Sequence, residues 1–198
     1  MTLTSPTDSL TPSASRRSSS RTISVSVGEV SVTETVLAYQ RRRLADHEQI
    51  DLQALDLPPT SFATQAVWFE LDAGELAPEI PLEALLGALH ATEHAQIAVL
   101  PLIAMCDRWD IGGLSTAFHA QTGRATIFIY DGHPGGVGIT RVGFERFERL
   151  VDDALRLISE CPCRDGCPSC VQSPKCGNLN EPLAKGGALE LMSRMLER

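Results

Sequence analysis

Apolar side chains enter this chain abruptly at Ile23. Before it, residues 1–21 are rich in Ser and Thr with few apolar side chains. They bury too little surface to offset the entropy of ordering and are expected to form a disordered leader. From Ile23 the pattern has strand period: Ile23, Val25 and Val27 alternate with Thr22, Ser24 and Ser26. A second β-rich run, Val30 to Tyr39, follows Gly28-Glu29, and the two runs read as a hairpin about that pair. Arg41-Arg42-Arg43 reads as a solvated strand end, with phosphate contact as the alternative. After a turn at Pro58-Pro59, Ser61 to Leu71 carries Thr, Val, Trp68 and Phe69 and reads as another strand, and Gly74 to Pro81 reads as a loop.

The period then changes. Leu82, Leu86, Leu89, Ile97, Leu100 and Ala104 form one stripe at helical spacing, predicting a helix from Leu82 to about Arg108 that Pro101 kinks or divides. Gly112-Gly113 reads as a breaker. Leu114 to His119 and Ala125 to Tyr130 read as two strands around Gln121-Thr122-Gly123, followed by a glycine-rich turn from Asp131 to Gly138. Phe144, Phe147, Val151, Leu155 and Ile158 keep one face of a second helix, and Ala188, Leu191, Met192 and Met195 one face of a last helix from Leu183 to Leu196. The expected fold is α+β: a small, mainly antiparallel sheet packed by three helices, with a metal knuckle between the last two. The expected organisation is a leader (1–21), an α+β domain (22–160), and a cysteine-rich knuckle with its helix (161–198).

Composition narrows the function. With 43% hydrophobic and 21% charged residues in 198, the chain suits one soluble globular domain rather than a disordered one. Its richest apolar run, Ile97 to Met105, is too short to span a bilayer and contains Pro101, so a cytoplasmic location with reduced thiols is expected. The net charge is −8, unevenly spread: residues 1–43 hold six Arg and three acids, residues 44–140 two Arg and thirteen acids. A protein that grips DNA alone usually shows a basic footprint. None is present here, so the main phosphate grip is expected to belong to another domain.

Five of six cysteines lie close together: Cys161, Cys163, Cys167, Cys170 and Cys176. Thiolates so near in sequence converge on one tetrahedral ion with little loop-closure cost, and Pro162, Gly166, Pro168 and Pro174 suit the tight turns involved. A closed four-thiolate site leaves no position for substrate, which points to structure rather than catalysis. The segment has few apolar residues, so the metal would be its core. Disulfides fit poorly in a reducing compartment. Zn2+ is the expected ion and an iron–sulfur cluster the alternative. Cys161, Cys163, Cys167 and Cys170 are the compact set, with Cys176 spare or replacing Cys161. Cys106 reads as a small buried hydrophobe on the long helix.

His90, Glu93 and His94 share one helix face, and H-x-x-E-H matches the inverted zincin signature. The bland reading is a hydrogen-bonded core cluster with His133, Asp107 or Asp131 as partners. The alternatives are a second metal site or a metal-dependent hydrolase. Gly135, Gly136 and Gly138 sit where backbone N–H groups can cradle a phosphate, although a tight strand-to-helix connection explains them as well. A P-loop needs Gly-Lys-Ser/Thr. The two lysines, Lys175 and Lys185, are followed by Cys176 and Gly186, so the chain alone is read as a non-enzyme without an ATPase site.

Three stretches resemble the C-terminal domain of MrfA-type DEAD/DEAH-box helicases. They are Leu89 to Ala95 continuing through Cys106 to Ser115, Tyr130 to Gly138, and above all Cys161-Pro-Cys163 through Cys170, then Ser173 to Asn178 and Glu181-Pro182-Leu183. The resemblance covers roughly residues 23–197. It implies a zinc-binding domain that follows two RecA-like motors translocating 3′ to 5′ on DNA, with zinc held by Cys161, Cys163, Cys167 and Cys170 and Cys176 nearby but not a ligand. It also implies a role in excision repair beside an exonuclease partner, MrfB. The implied partners are thus helicase motor domains, in cis or in trans, and DNA through the assembly. Both motor domains lack counterparts in these residues.

Overall fold

The computed structural model describes residues 2–4, 10–17, 23–46, 48–76 and 80–196. Its framework is an antiparallel sheet around β3, Ile23–Thr35, which pairs with β6, Thr60–Leu71, from Ile23 opposite Leu71 to Glu34 opposite Thr60. The hairpin expected at Gly28-Glu29 is corrected. The strand runs on through the pair, with Gly28 in the ladder opposite Ala66, and the apolar positions change phase there, from Ile23 and Val25 on one face to Val30 and Val32 on the other.

β1, Thr2–Thr4, and β2, Thr11–Arg17, both pair with the other edge of β3. The expected disorder over 1–21 is therefore corrected for these stretches, while residues 1, 5–9 and 18–21 lie outside the described ones. Edge pairing uses backbone groups and needs no large side chain. Ser13 donates to the Val27 carbonyl at 3.0 Å, and the Arg16 guanidinium donates to the Phe144 carbonyl at 2.5 Å. Arg16 also lies over the Phe144 and Phe147 rings.

β8, Arg124–Asp131, pairs with the free edge of β6, and β7, Ile111–His119, closes the sheet. Gly112 and Gly113 do not break structure: both lie within β7. A Cβ on Gly112 would fall on the Tyr130 ring, and one on Gly113 would stand 2.5 Å from Glu93 Oε1. Glycine is used here for room. A separate two-stranded sheet joins β4, Ala38–Arg42, to β5, Gln49–Ala54, so the Val30–Tyr39 run divides between β3 and β4. Arg41 pairs with Asp51, Arg43 with Asp46 and Glu48, and Arg42 donates to Gln40. These exposed pairs fit a solvated strand end.

The sheet has two covered faces. Ile23, Val25, Val67, Phe69, Leu71, Ile127 and Ile129 face the helices in the main core. On the opposite face Val30, Val32, Ala66, Trp68 and Phe128 form a smaller cluster. The helix α2, Leu82–Ala104, lies centrally. It is buried almost all round from Ala88 to Ile97, while Leu86, expected on the apolar stripe, is exposed. Pro101 does not divide it. The helix continues to Ala104 and closes on Met105, whose left-handed backbone donates N–H to the Pro101 carbonyl.

A four-residue helix α1, Ala73–Leu76, lies in the stretch expected to be loop, and residues 77–79 are outside the described ones. The helix expected over Phe144–Ile158 is two: α3, Ile139–Glu145, and α4, Phe147–Glu160, separated at Arg146. α5, Lys185–Leu196, buries Ala188, Leu191, Met192 and Met195 in the same core as the sheet. The chain is thus mixed α+β, with the cysteines between α4 and α5. No helix among the described residues is long and apolar enough to cross a membrane.

Candidate metal centre

The α4 helix ends at Glu160, and Cys161 takes up extended backbone that leads the chain away from the helix axis. Gly166, at φ 115, turns it back in a conformation that side chains resist. A Cβ there would also stand 2.5 Å from Val171 Cγ2. The turn Cys167–Cys170 then closes through Cys170 N–H to the Cys167 carbonyl, and Cys167 N–H points at the Cys170 sulfur.

Four sulfurs converge as a result. Cys161 and Cys163 Sγ are 3.6 Å apart, Cys161 and Cys167 3.5 Å, Cys163 and Cys170 3.4 Å, and Cys167 and Cys170 3.7 Å. A tetrahedral ion with metal–sulfur bonds of about 2.3 Å has sulfur–sulfur edges of about 3.8 Å. The spacing fits one such ion. It does not fit disulfides, and all six cysteines are free.

Electrostatics favour a thiolate at Cys163. Burial pushes the Cys163 thiol up, but hydrogen bonds with Cys170, Cys161, Cys167 and Lys185 outweigh it and bring it down to about 7. Burial raises Cys170 to about 12. A divalent ion held by these four cysteines would take the place of the protons these sulfurs share. Lys185 supplies a fixed positive charge: its Nζ donates to the Cys161 carbonyl at 2.7 Å and the Cys163 carbonyl at 2.6 Å, and reaches Cys163 Sγ at 3.4 Å.

Cys176 is not among the four. It lies with His90 and His94, the three ligand atoms within 4.8 Å of one another. Cys176 Sγ is 3.3 Å from His90 Nε2 and accepts from Asn180 N–H. Burial pushes its thiol up, yet hydrogen bonds with His94, Asn180 and Asn178 and the charge of His94 bring it below the usual range.

Glu93, which the sequence groups with the two histidines, turns to β7 instead. Its carboxyl hydrogen-bonds Ser115 and stands against Gly113. Burial pushes it up to about 7, opposed by Ser115 and by the charge of His90. None of His133, Asp107 and Asp131, the residues expected as partners, joins this cluster. His133 pairs with Asp110 at 3.0 Å, Asp107 caps the turn at Trp109, and Asp131 serves the glycine-rich turn.

That turn is fully engaged within the fold. The buried Asp131 carboxylate accepts N–H groups from Val137, Gly138, Ile139 and Thr140. Gly135 N–H goes to the Ala63 carbonyl and Gly136 N–H to that of His133. The amides of Gly135, Gly136 and Gly138 are therefore committed internally, and the positive φ of all three glycines accounts for their presence. Cys106 lies just beyond the end of α2, half-buried against the core.

Sequence reasoning missed both lysines. Lys175 donates to the Arg108 and Ile111 carbonyls and lies 5.2 Å from the Trp109 ring centroid, tying the cysteine-rich loop to the start of β7. The available signal was composition: the chain has only two lysines, and both fall in the cysteine-rich region and its sequel.

Comparison with known proteins agrees with this geometry. The profile of the MrfA Zn-binding domain matches residues 92–171. An uncharacterized protein of Methanocaldococcus jannaschii is 39% identical over 111 residues, which make up 54% of this chain and 99% of that protein. The chain belongs to the MrfA Zn-binding domain family. Within it, the ATP-dependent helicase YprA of Bacillus subtilis is 34% identical over 177 residues, 87% of this chain but only 22% of the helicase. A crystal structure of the helicase MrfA bound to DNA matches with a TM-score of 0.71 at 30% identity, over 98% of this chain and 24% of that one. This MrfA-type domain therefore corresponds to less than a quarter of the helicases it matches.

Proposed function

We propose that this chain is a zinc-stabilised accessory module of a 3′–5′ DNA-repair helicase, which docks on the motor domains and supports their engagement of DNA without an ATPase site of its own. The spacing of the four sulfurs carries this reading. Separations of 3.4–3.7 Å suit ligands of one ion. Thiolates of an iron–sulfur cluster bind different irons and stand farther apart. Zn2+ held by Cys161, Cys163, Cys167 and Cys170 would be four-coordinate and closed, supplying folding energy rather than chemistry.

The net charge of −8 supports an indirect role on DNA, the motors providing most of the phosphate grip. In YprA and MrfA the matching region lies within the same polypeptide as the rest of the helicase, which supports motor domains as the partner. An exonuclease such as MrfB would act beside the assembled helicase.

The test has two parts. Elemental analysis and a visible spectrum of the purified chain are expected to show zinc without iron, with one equivalent lost in Cys163→Ser. Titration calorimetry against the motor domains of a MrfA-type helicase is expected to show saturable binding that Cys167→Ser abolishes. An iron-coloured protein, or a zinc-loaded chain that ignores the motors, would overturn the reading.

A further inference from the structure

We propose a second metal site in this chain, built from His90, His94 and Cys176, separate from the four-cysteine centre and with one coordination position facing a cavity.

Tautomer is decided by hydrogen bonding. His90 Nδ1 lies 2.9 Å from the Pro182 carbonyl oxygen and His94 Nδ1 2.7 Å from that of Val171. A carbonyl only accepts, so each Nδ1 carries the proton and each neutral ring keeps its lone pair on Nε2. Metal-binding histidines are commonly oriented in this way, with the remote nitrogen donating to a backbone carbonyl. The helix places the two rings one turn apart, with centroids separated by 4.3 Å.

The third donor comes from the loop. Cys176 brings its sulfur to 3.3 Å from His90 Nε2, and the three ligand atoms lie within 4.8 Å of one another. The Asn180 N–H directed at the sulfur provides the outer hydrogen bond usual for a metal thiolate. Both histidines are buried, so two imidazoles and a thiol face one another away from bulk water. Two nitrogens and one sulfur suit Zn2+, and three protein ligands leave one place for water or a small anion. That place opens on a cavity of about 340 Å³, lined by the three ligands together with Glu93, Lys175 and Tyr130.

The ion would join α2 to the loop between the four-cysteine centre and α5. His90 and His94 already bond to that loop through Pro182 and Val171, and Cys176 would add a covalent-strength clip.

The experiment is metal counting on the full 198-residue chain, loaded with Zn2+ and desalted. Two equivalents are expected. Cys176→Ser and His94→Ala should each keep one, the equivalent held by the four-cysteine centre. Co2+ titration of the unsubstituted chain gives a readout that needs no variant. It should develop two distinct visible spectra, one rich in thiolate and one with mixed nitrogen and sulfur. A single equivalent with a single all-thiolate spectrum would overturn the second site and leave the four-cysteine reading intact. Retention of two equivalents in both Cys176→Ser and His94→Ala would overturn it as well.

Discussion

The Lys185 ammonium lies 2.6 Å from the Cys163 carbonyl oxygen and 3.4 Å from the Cys163 sulfur. One side chain at the start of α5 thus holds both the backbone and the charge of the knuckle that precedes it. Four thiolates around one divalent ion carry excess negative charge, and a buried cation offsets part of it. Outer-shell partners of this kind typically change metal affinity by about 10–100-fold when removed. Lys185→Met is therefore expected to weaken zinc binding by that order while the chain still folds in excess zinc. Competition with a chromophoric chelator measures it, and unchanged affinity would show that the lysine is only a packing element.

Asp131 organises the entry to α3 through four backbone N–H groups, none of which has another partner at that turn. Hydrogen bonds to a charged group contribute roughly 1.5–3 kcal/mol, and stranding the donors adds to the loss. Asp131→Ala should destabilise the fold by at least about 3 kcal/mol in urea denaturation. A loss under about 1 kcal/mol would mean that water replaces the carboxylate at little cost.

Gly113 and Gly186 make a matched pair for substitution by alanine. A Cβ at Gly113 meets Glu93 Oε1 at 2.5 Å and Ile97 Cδ1 at 2.7 Å, whereas one at Gly186, within α5, meets nothing within 4 Å. Overpacking costs about 1–3 kcal/mol, while Gly→Ala at an unhindered helical site gains about 0.4–1 kcal/mol. Thermal unfolding should therefore fall for Gly113→Ala and rise for Gly186→Ala. Shifts in the same direction would contradict this account of the β7 glycines.

Leu191 is fully buried on α5 within the core shared by the sheet and α2. Leu191→Ala should cost about 2–5 kcal/mol. The same change should speed amide exchange across both α5 and the cysteine segment, because the two elements share that core. Exchange confined to α5 would mean that the knuckle is stable on its own.

The parts of the fold that were legible from sequence are those set by local pattern. Period-2 alternation marked the start of β3, strand-forming residues marked β6, the turn at Gln121-Thr122-Gly123 set off β7 and β8, helical period marked α2 and α5, and cysteine spacing marked the knuckle. Long-range facts were not legible. Gly28 looks like a turn, yet its role follows from Ala66 across the ladder. β2 has no hydrophobic signature, since an edge strand is held by backbone pairing and by Arg16 on distant aromatic rings. Glu93 shares a helix face with the histidines, but the nearness of β7 turns it elsewhere. Cys176 joins them only because the loop returns to α2. The glycine-rich turn resembled an anion cradle because the residue that fills it, Asp131, is a single carboxylate whose direction no spacing rule reveals.

The most direct test of the central claim is a thiol-accessibility measurement on the folded, zinc-loaded chain, with mass spectrometry identifying each modified cysteine. Cys161, Cys163, Cys167 and Cys170 are expected to resist alkylation until a strong chelator removes the metal, and then to react together as the segment between α4 and α5 loses structure. Rapid alkylation of all four in a well-folded sample without metal would contradict the account.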